Sequence, residues 1–179
     1  IVMFGGHGSR VMRGIAKRLD DVQLILVCGH NAVLAEQLRA MHAAAPRVVL
    51  KFTSQISHYM QLSDFFIGKP GPGSISEAIQ QGLPVIVVRN AWTMPQERYN
   101  SEWVEENGAG VVLDSFKSIR DGVAQVTAHA DLYRASVKSI RNRAVFEIPE
   151  ILERILAAPA RVSVDFTQHF RAAERLHLS

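Results

Sequence analysis

The sequence predicts an α/β fold built around a doubly wound, mostly parallel, six-stranded sheet. Two observations lead to this prediction. Short apolar runs alternate with longer amphipathic segments along most of the chain, the pattern of repeated strand-helix units. The length of 179 residues with 47% hydrophobic and 21% charged residues is typical of a globular domain with one sizeable core. Disordered and fibrous classes are therefore excluded.

Each predicted strand is a short apolar run, and each predicted helix is a longer stretch with apolar residues at helical spacing. In chain order the elements are strand 1–4, helix 11–19, strand 23–27, helix 32–42, strand 48–52, helix 55–62, strand 64–67, helix 74–81, strand 85–88, helix 96–106, strand 110–113 and helix 117–129. Right-handed crossovers then give the strand order 3-2-1-4-5-6. We expect a ligand beyond the carboxyl ends of the first and fourth strands.

The last part of the chain is predicted to be helical and basic. Helical patterns cover 131–142, 149–156 and 165–177, and we divide the chain into an α/β domain, 1–156, and a helical tail, 157–179. Residues 1–133 hold 12 Lys/Arg and 12 Asp/Glu, whereas residues 134–179 hold 8 and 5. Arg134, Lys138 and Arg141 recur at helical spacing, which indicates either a basic face or a solvated helix.

Other features narrow the setting. The single cysteine, Cys28, favours a reducing compartment, and no Cys/His cluster has metal-ligand spacing. No apolar run approaches the roughly 20 residues that span a bilayer. The chain begins at Ile1 inside a strand-like run, so we expect it to be part of a longer protein.

A first glycine turn, Gly5-Gly6-His7-Gly8-Ser9, separates the first strand from the first helix. Glycines let a ligand approach the backbone, and free amides at a helix start favour an anion. A tight turn without a ligand explains the same residues equally well.

A second glycine turn, 68–74, lies between the fourth strand and its helix. Ser74 and Glu77 have the spacing of a capping box, which is one explanation of this turn. A capping box does not require Gly71, Pro72 and Gly73 in front of it, so we favour phosphate binding at the helix start. Because strands one and four are predicted neighbours, both turns would face one crevice, and a diphosphate fits two helix N-termini better than a single phosphate does.

Several diphosphate-binding motifs are missing from the sequence. Val11 occupies the third glycine position of a dinucleotide fingerprint, and Ser74 stands where an NTPase loop has lysine. No Asp-x-Asp pair occurs, so a metal-bridged nucleotide-sugar site lacks its usual ligands. Beyond the fifth strand, Gln96 and Glu97 suit either the first turn of a helix or a site for sugar hydroxyls.

These residues together resemble a known family. The run 69–78, KPGPGSISEA, followed by Gly82-Leu83-Pro84, Pro95-Gln96-Glu97 and Asn100, is similar to the donor-binding, C-terminal half of glycosyltransferase family 28, and most similar to the monogalactosyldiacylglycerol synthase-like enzymes. The first glycine turn, Cys28-Gly29-His30-Asn31 and Phe52-Thr53 fall at matching places, so the resemblance covers about residues 1–156.

The resemblance implies a Rossmann-like half of a GT-B glycosyltransferase that inverts the anomeric centre without a metal. It also implies a role for each matching residue. The backbone of Thr53, beside Phe52, holds uracil, and the amides of Gly73, Ser74 and Ile75 hold the diphosphate. Glu77 binds the ribose, Gln96 and Glu97 bind the sugar with Asn100 in the same motif, and the loop Gly6-His7-Gly8-Ser9 closes on phosphate and sugar.

The implied reaction moves a hexose from a UDP-sugar to a lipid-type acceptor bound by an N-terminal domain outside this sequence. We therefore assign no catalytic residue and no cofactor here, and expect the chain alone to be inactive. His7 is a candidate donor to the leaving group, or a satisfied loop histidine. Trp92-Thr93-Met94 departs from the shorter approach to Gln96 expected in the lipid galactosyltransferases, which leaves the sugar open.

The expected setting is cytoplasmic, with peripheral contact to an anionic membrane on its inner face and no binding of nucleic acid. Two alternative functions are a UDP-sugar epimerase or hydrolase half and a non-catalytic UDP-sugar-binding subunit.

Overall fold

A computed structural model describes residues 1–158 and confirms the predicted α/β fold. In chain order the elements are β1 (Val2–Met3), α1 (Val11–Arg18), β2 (Leu24–Val27), α2 (Ala32–Arg39), β3 (Arg47–Leu50), α3 (Ile56–Gln61), β4 (Phe66–Gly68), α4 (Pro72–Gln80), β5 (Val85–Val88), α5 (Pro95–Glu106), β6 (Gly110–Leu113), a 3₁₀ turn (Phe116–Ser118), α6 (Ile119–Ala128), α7 (Ala130–Ser139) and α8 (Ala144–Ala157).

The six strands form one sheet in the predicted order, β3-β2-β1-β4-β5-β6, and every pairing in it is parallel. Strand β1 lies between β2 and β4, with Val2 opposite Leu26 on one side and Ile67 on the other. From β1 the chain adds β2 and β3 on one side of the sheet, and it then returns to the other side of β1 to add β4, β5 and β6. The pair of strands β1 and β4 is therefore the topological switch point where ligands of such folds bind.

Helices cover both faces of the sheet because alternate strand residues point to opposite sides. On one face, α1, α2 and α6 supply Ile15, Leu38 and Ile119 to a buried cluster that includes Leu26 and Ile86. On the other, α3, α4, α5 and α7 contribute to a second cluster around Phe66, Val85 and Val87, through the side chains Met60, Ile75, Val104 and Val137. Each fully buried aliphatic side chain contributes about 1.5–3 kcal/mol, so the two cores hold the strand ends, and the loops after them, in place.

The start of α4 corrects one interpretation of the sequence. The helix begins at Pro72, with Gly71 as its N-cap and no side-chain capping bond, whereas the capping box required a start at Ser74. Proline suits the first helical position because its φ is already helical and its missing N–H would have no acceptor there. The capping-box explanation is therefore wrong, and Ser74 is the third residue of the helix.

The C-terminal part differs from the prediction in its helix starts. A 3₁₀ turn precedes α6, and α8 begins at Ala144 with Pro149 inside it, not at Pro149. The chain forms two compact units that divide after Arg141, and α8 is the described helix of the second. The domain boundary at 156 stays a prediction. The predicted helix 165–177 and nearly all of the tail 157–179 lie outside the described residues.

Candidate functional site

The predicted site residues converge on one edge of the sheet. The first glycine loop follows β1, Phe52 and Thr53 follow β3, the second glycine loop follows β4, and Gln96 follows β5. Because all the strands are parallel, their carboxyl ends meet at the same edge. The fold therefore brings four segments together that are up to about 90 residues apart in the chain.

The first glycine loop depends on two left-handed glycines, Gly5 at φ +68° and Gly8 at φ +58°. A Cβ on Gly8 would come within 2.9 Å of Leu34 Cδ2 and 3.0 Å of the Cys28 carbonyl, so the loop packs closely on the end of β2. The hydroxyl of Ser9 accepts a hydrogen bond from the Val11 amide at 3.3 Å, which occupies one free amide of α1. Gly6 and His7 are exposed at the tip of the loop.

A row of three rings links this loop to the end of β3. The His30 ring stacks on Phe52 with 4.4 Å between ring centroids and 14° between planes, and His7 lies 5.9 Å from His30. The His30 amide donates to the Gly6 carbonyl at 2.8 Å, which fixes the two loops together. Phe52 remains 61% exposed. One edge of the site is therefore an accessible aromatic surface beside Thr53.

The start of α4 has open backbone amides at the switch point of the sheet. The Ile75 amide donates to the Gly71 carbonyl at 3.1 Å, so the amides of Gly73 and Ser74 are the ones that precede the intrahelical hydrogen bonds. Gly73 is exposed, and no heavy atom lies within 4 Å of the position a Cβ would take there. Glu77 is also exposed and follows Gly73 by four residues, which places both on the same face of α4.

The second glycine loop is bonded to the first two turns of α5. The Lys69 ammonium donates to Glu97 Oε1 at 2.8 Å, and Asn100 Nδ2 donates to the Pro70 carbonyl at 2.8 Å. Gln96 is exposed, and its Nε2 lies 3.6 Å from the Met94 sulfur. Of the three sequence-predicted residues on α5, Glu97 and Asn100 thus hold the loop after β4, whereas the side chain of Gln96 is bonded to Met94, just before its own helix.

A cavity of about 300 Å³ lies beside this ion pair. Its lining includes Lys69 and Glu97, together with three residues of the loop that leads into α5, Trp92, Thr93 and Met94. Trp92 is 93% exposed at the rim. The lining is mostly apolar, with the charged side chains of Lys69 and Glu97 among it, which suits a ligand that has hydroxyl groups and a hydrophobic face.

Two further features concern ionisable groups. Burial raises the pKa of the Cys28 thiol above its ordinary value, since the thiol lies in the core behind the first glycine loop. Residues 1–158 contain no group of three or more His, Cys, Asp or Glu side chains arranged to hold a metal ion.

The basic residues predicted to form a face are partly engaged. Arg134 donates to Asp64 Oδ1 at 2.6 Å, so its charge is paired within the domain. Among the described helices, none has both the length and the apolar composition required to cross a bilayer.

Sequence reasoning gave no role to His30 and Lys69, although both lie in segments that it selected. The stacking partner of His30, Phe52, lies 22 residues further along the chain. The ion-pair partner of Lys69, Glu97, lies 28 residues further along. Neither contact follows the periodicity of a helix or strand, so only the position of Lys69 inside the second glycine loop could have drawn attention to it.

Comparison with known proteins gives consistent matches. The sequence-family model of the glycosyltransferase family 28 C-terminal domain matches residues 1–155 of this chain. A probable monogalactosyldiacylglycerol synthase 2 from Oryza sativa subsp. japonica is 31% identical, with 91% of this chain and 38% of that protein covered. A processive diacylglycerol beta-glucosyltransferase from Bacillus subtilis is also 31% identical, with 87% and 42% covered, and the monogalactosyldiacylglycerol synthase of Spinacia oleracea is 31% identical, with 87% and 33% covered. The chain spans well under half the length of these relatives.

Proposed function

We propose, from the premise that this chain belongs to glycosyltransferase family 28 as its C-terminal domain, that it is the donor-binding half of an inverting, metal-independent glycosyltransferase. The donor is a UDP-hexose, and the acceptor is a lipid bound by a second domain. The diacylglycerol glycosyltransferases among the relatives support the class of acceptor.

The observation that carries this proposal is the start of α4. Two open amides, those of Gly73 and Ser74, lie at the switch point of the sheet, next to the end of β1. The N-terminus of a helix is equivalent to about half a positive charge and attracts phosphate. The nucleotide diphosphate therefore binds here, with the first glycine loop on its other side.

The remaining residues bind the other parts of the donor. Uracil lies against the Thr53 backbone beside Phe52, and Glu77 accepts hydrogen bonds from the ribose hydroxyls. Gln96 and Glu97 bind the hexose. Asn100 supports this site through its hydrogen bond to the Pro70 carbonyl. The sequence also predicted a diphosphate contact for the Ile75 amide, but this amide donates to the Gly71 carbonyl, so we assign the diphosphate to the amides of Gly73 and Ser74.

The chemical step depends on charge that grows on the leaving group. An acceptor hydroxyl attacks the anomeric carbon of the hexose, the bond from that carbon to the diphosphate oxygen breaks, and UDP leaves with the electron pair. Amides that already point toward the diphosphate stabilise this charge without reorganising. The base that takes the proton of the acceptor belongs to the second domain, so the 179-residue chain alone transfers no sugar.

Contact with a membrane is part of the proposal, since the acceptor is a lipid. Lys138 and Arg141 are exposed and supply positive charge for an anionic surface, whereas Arg134 is paired with Asp64. Each basic residue near such a surface contributes about 1 kcal/mol of attraction. The domain accordingly works in the cytoplasm at the inner face of a membrane and needs no nucleic acid.

Product analysis tests the function. The whole polypeptide encoded by the open reading frame around this sequence is incubated with UDP-galactose or UDP-glucose, with and without diacylglycerol. A glycolipid of inverted anomeric configuration, formed only with diacylglycerol, is the expected result. Conversion of the UDP-sugar without an acceptor would instead identify an epimerase or hydrolase. Binding without any turnover would identify a non-catalytic subunit.

A further inference from the structure

The ion pair between Lys69 and Glu97 is more buried at its acidic end than a surface pair. The distance from the ammonium to Oε1 is 2.8 Å, and the side chains of Lys69 and Glu97 are 49% and 12% exposed. A carboxylate that loses most of its contact with water needs charged or hydrogen-bonding partners in return. Lys69 is the partner that compensates Glu97 here.

The pair lies directly against the backbone of the second glycine loop. A Cβ on Gly71 would be 3.5 Å from Lys69 Cε and 3.8 Å from Glu97 Oε1, which are ordinary contact distances, so the pair lies beside the N-cap residue of α4. Asn100, one turn further along α5 than Glu97, donates a hydrogen bond to the carbonyl of Pro70, the residue after Lys69. Two consecutive residues of the loop after β4 are therefore held by two positions of α5.

The geometry leaves part of the Glu97 carboxylate available. A carboxylate has about four lone-pair sites on its two oxygens, and Lys69 occupies one of them on Oε1. Glu97 is also in the first turn of α5, where the helix end favours a negative charge. The carboxylate is thus fixed in direction and still able to accept hydrogen bonds from hydroxyl groups in the adjoining cavity, which Lys69 and Glu97 both line.

We propose that Lys69 is a positioning residue that orients Glu97 toward the hydroxyl groups of the donor hexose and thereby determines how tightly the sugar part is held. This inference rests on the proposed function, because it assumes a UDP-hexose at this site. The two parts of the donor are then bound by different groups, because Lys69 acts on the hexose through Glu97, whereas the amides of α4 act on the diphosphate.

Calorimetry on the 179-residue chain tests this separation with UDP, UDP-galactose and UDP-glucose. The wild-type chain should bind one UDP-hexose more tightly than UDP. Lys69→Met should lower the affinity for that UDP-hexose about tenfold, which corresponds to about 1.4 kcal/mol, and leave the affinity for UDP unchanged. Lys69→Arg should restore most of the loss, because a guanidinium also donates to a carboxylate.

A matched control uses the other ion pair to the same helix. Arg89, just after β5, pairs with Glu102 on α5 at 2.8 Å, and Arg89→Met removes a pair of equal length away from Glu97. It should change neither affinity. The melting temperature of Arg89→Met should fall by no more than about 4 °C, as expected for the loss of a single partly exposed pair, and the unchanged affinity of Lys69→Met for UDP should show that this variant is folded.

A double-mutant cycle gives the decisive result. In a Glu97→Gln background, Lys69→Met should have no further effect on the UDP-hexose, because Lys69 acts through Glu97. Equal losses for UDP and UDP-hexose would overturn the inference and assign Lys69 to the diphosphate. It would also be overturned by an unchanged affinity in Lys69→Met, or by a wild-type chain that binds UDP as tightly as every UDP-hexose. Failure of the wild-type chain to bind UDP at all would instead reject the proposed function.

Discussion

Substitution of Glu77 by alanine should weaken nucleotide binding without weakening the fold. Glu77 is exposed, it is the sixth residue of α4, and no side-chain capping bond forms at the start of this helix. Alanine is the best helix former, and exposed substitutions of this kind change the free energy of unfolding by no more than about 0.5 kcal/mol. A capping residue would have cost about 0.5–2 kcal/mol.

The expected loss of UDP affinity follows from the hydrogen bonds of a carboxylate. Hydrogen bonds to charged groups contribute about 1.5–3 kcal/mol, which corresponds to a loss of affinity of about 10- to 150-fold when the ribose hydroxyls lose Glu77. Calorimetry with UDP and urea unfolding measure the two quantities. Glu106→Ala, at an exposed glutamate near the end of α5, removes the same charge and should change neither. An unchanged UDP affinity in Glu77→Ala would refute the ribose role.

Three other predictions concern the fold and the membrane. Gly29→Ala should destabilise the chain by about 2–4 kcal/mol in urea unfolding, because Gly29 has φ +59° and a Cβ there would clash with the Gly6 carbonyl. The control is Gly6→Ala, whose Cβ would meet no heavy atom within 4 Å, and equal effects of the two substitutions would contradict the prediction. Cys28 should react with a thiol reagent at mildly alkaline pH much more slowly in the folded than in the denatured chain, because burial shields the thiol from the reagent and also raises its pKa, which lowers the thiolate fraction; equal rates would contradict its burial. The fraction of the chain that co-sediments with anionic vesicles should fall between low and physiological salt, and a fraction that depends on neither the salt nor the lipid charge would reject electrostatic contact.

The sheet could be predicted well from the sequence because strands buried on both faces read as short apolar runs. The bounds of β5 and β6 agree with the prediction, and the strand order follows from the right-handed crossover rule. The family that the glycine loops resembled is confirmed by the match over residues 1–155. Local pattern and chain connectivity are enough for these features.

Helix starts with proline were harder to predict. Ser74 fits a capping box, but Pro72 allows the helix to begin two residues earlier, and the sequence contains both signals. Pro149 was interpreted as a first residue, whereas α8 starts at Ala144 and includes it. Competing local signals are decided by the energy of the whole helix, which the sequence pattern does not rank.

The contacts inside the site could not be predicted because they join separate strands. The stacking of His30 on Phe52 and the pairing of Lys69 with Glu97 depend on how neighbouring loops meet at the sheet edge. Which residues stand near the edge is given by the topology. Which side chains touch depends on loop conformations such as the left-handed turn at Gly29.

The most direct test of a metal-independent UDP site at the start of α4 is calorimetry of the 179-residue chain with UDP and ADP, each with and without EDTA. Binding by backbone amides predicts that chelation leaves the UDP affinity unchanged. Contact between uracil and the Thr53 backbone predicts that ADP binds more weakly than UDP. Loss of UDP binding in EDTA, or equal affinities for ADP and UDP, would contradict this account.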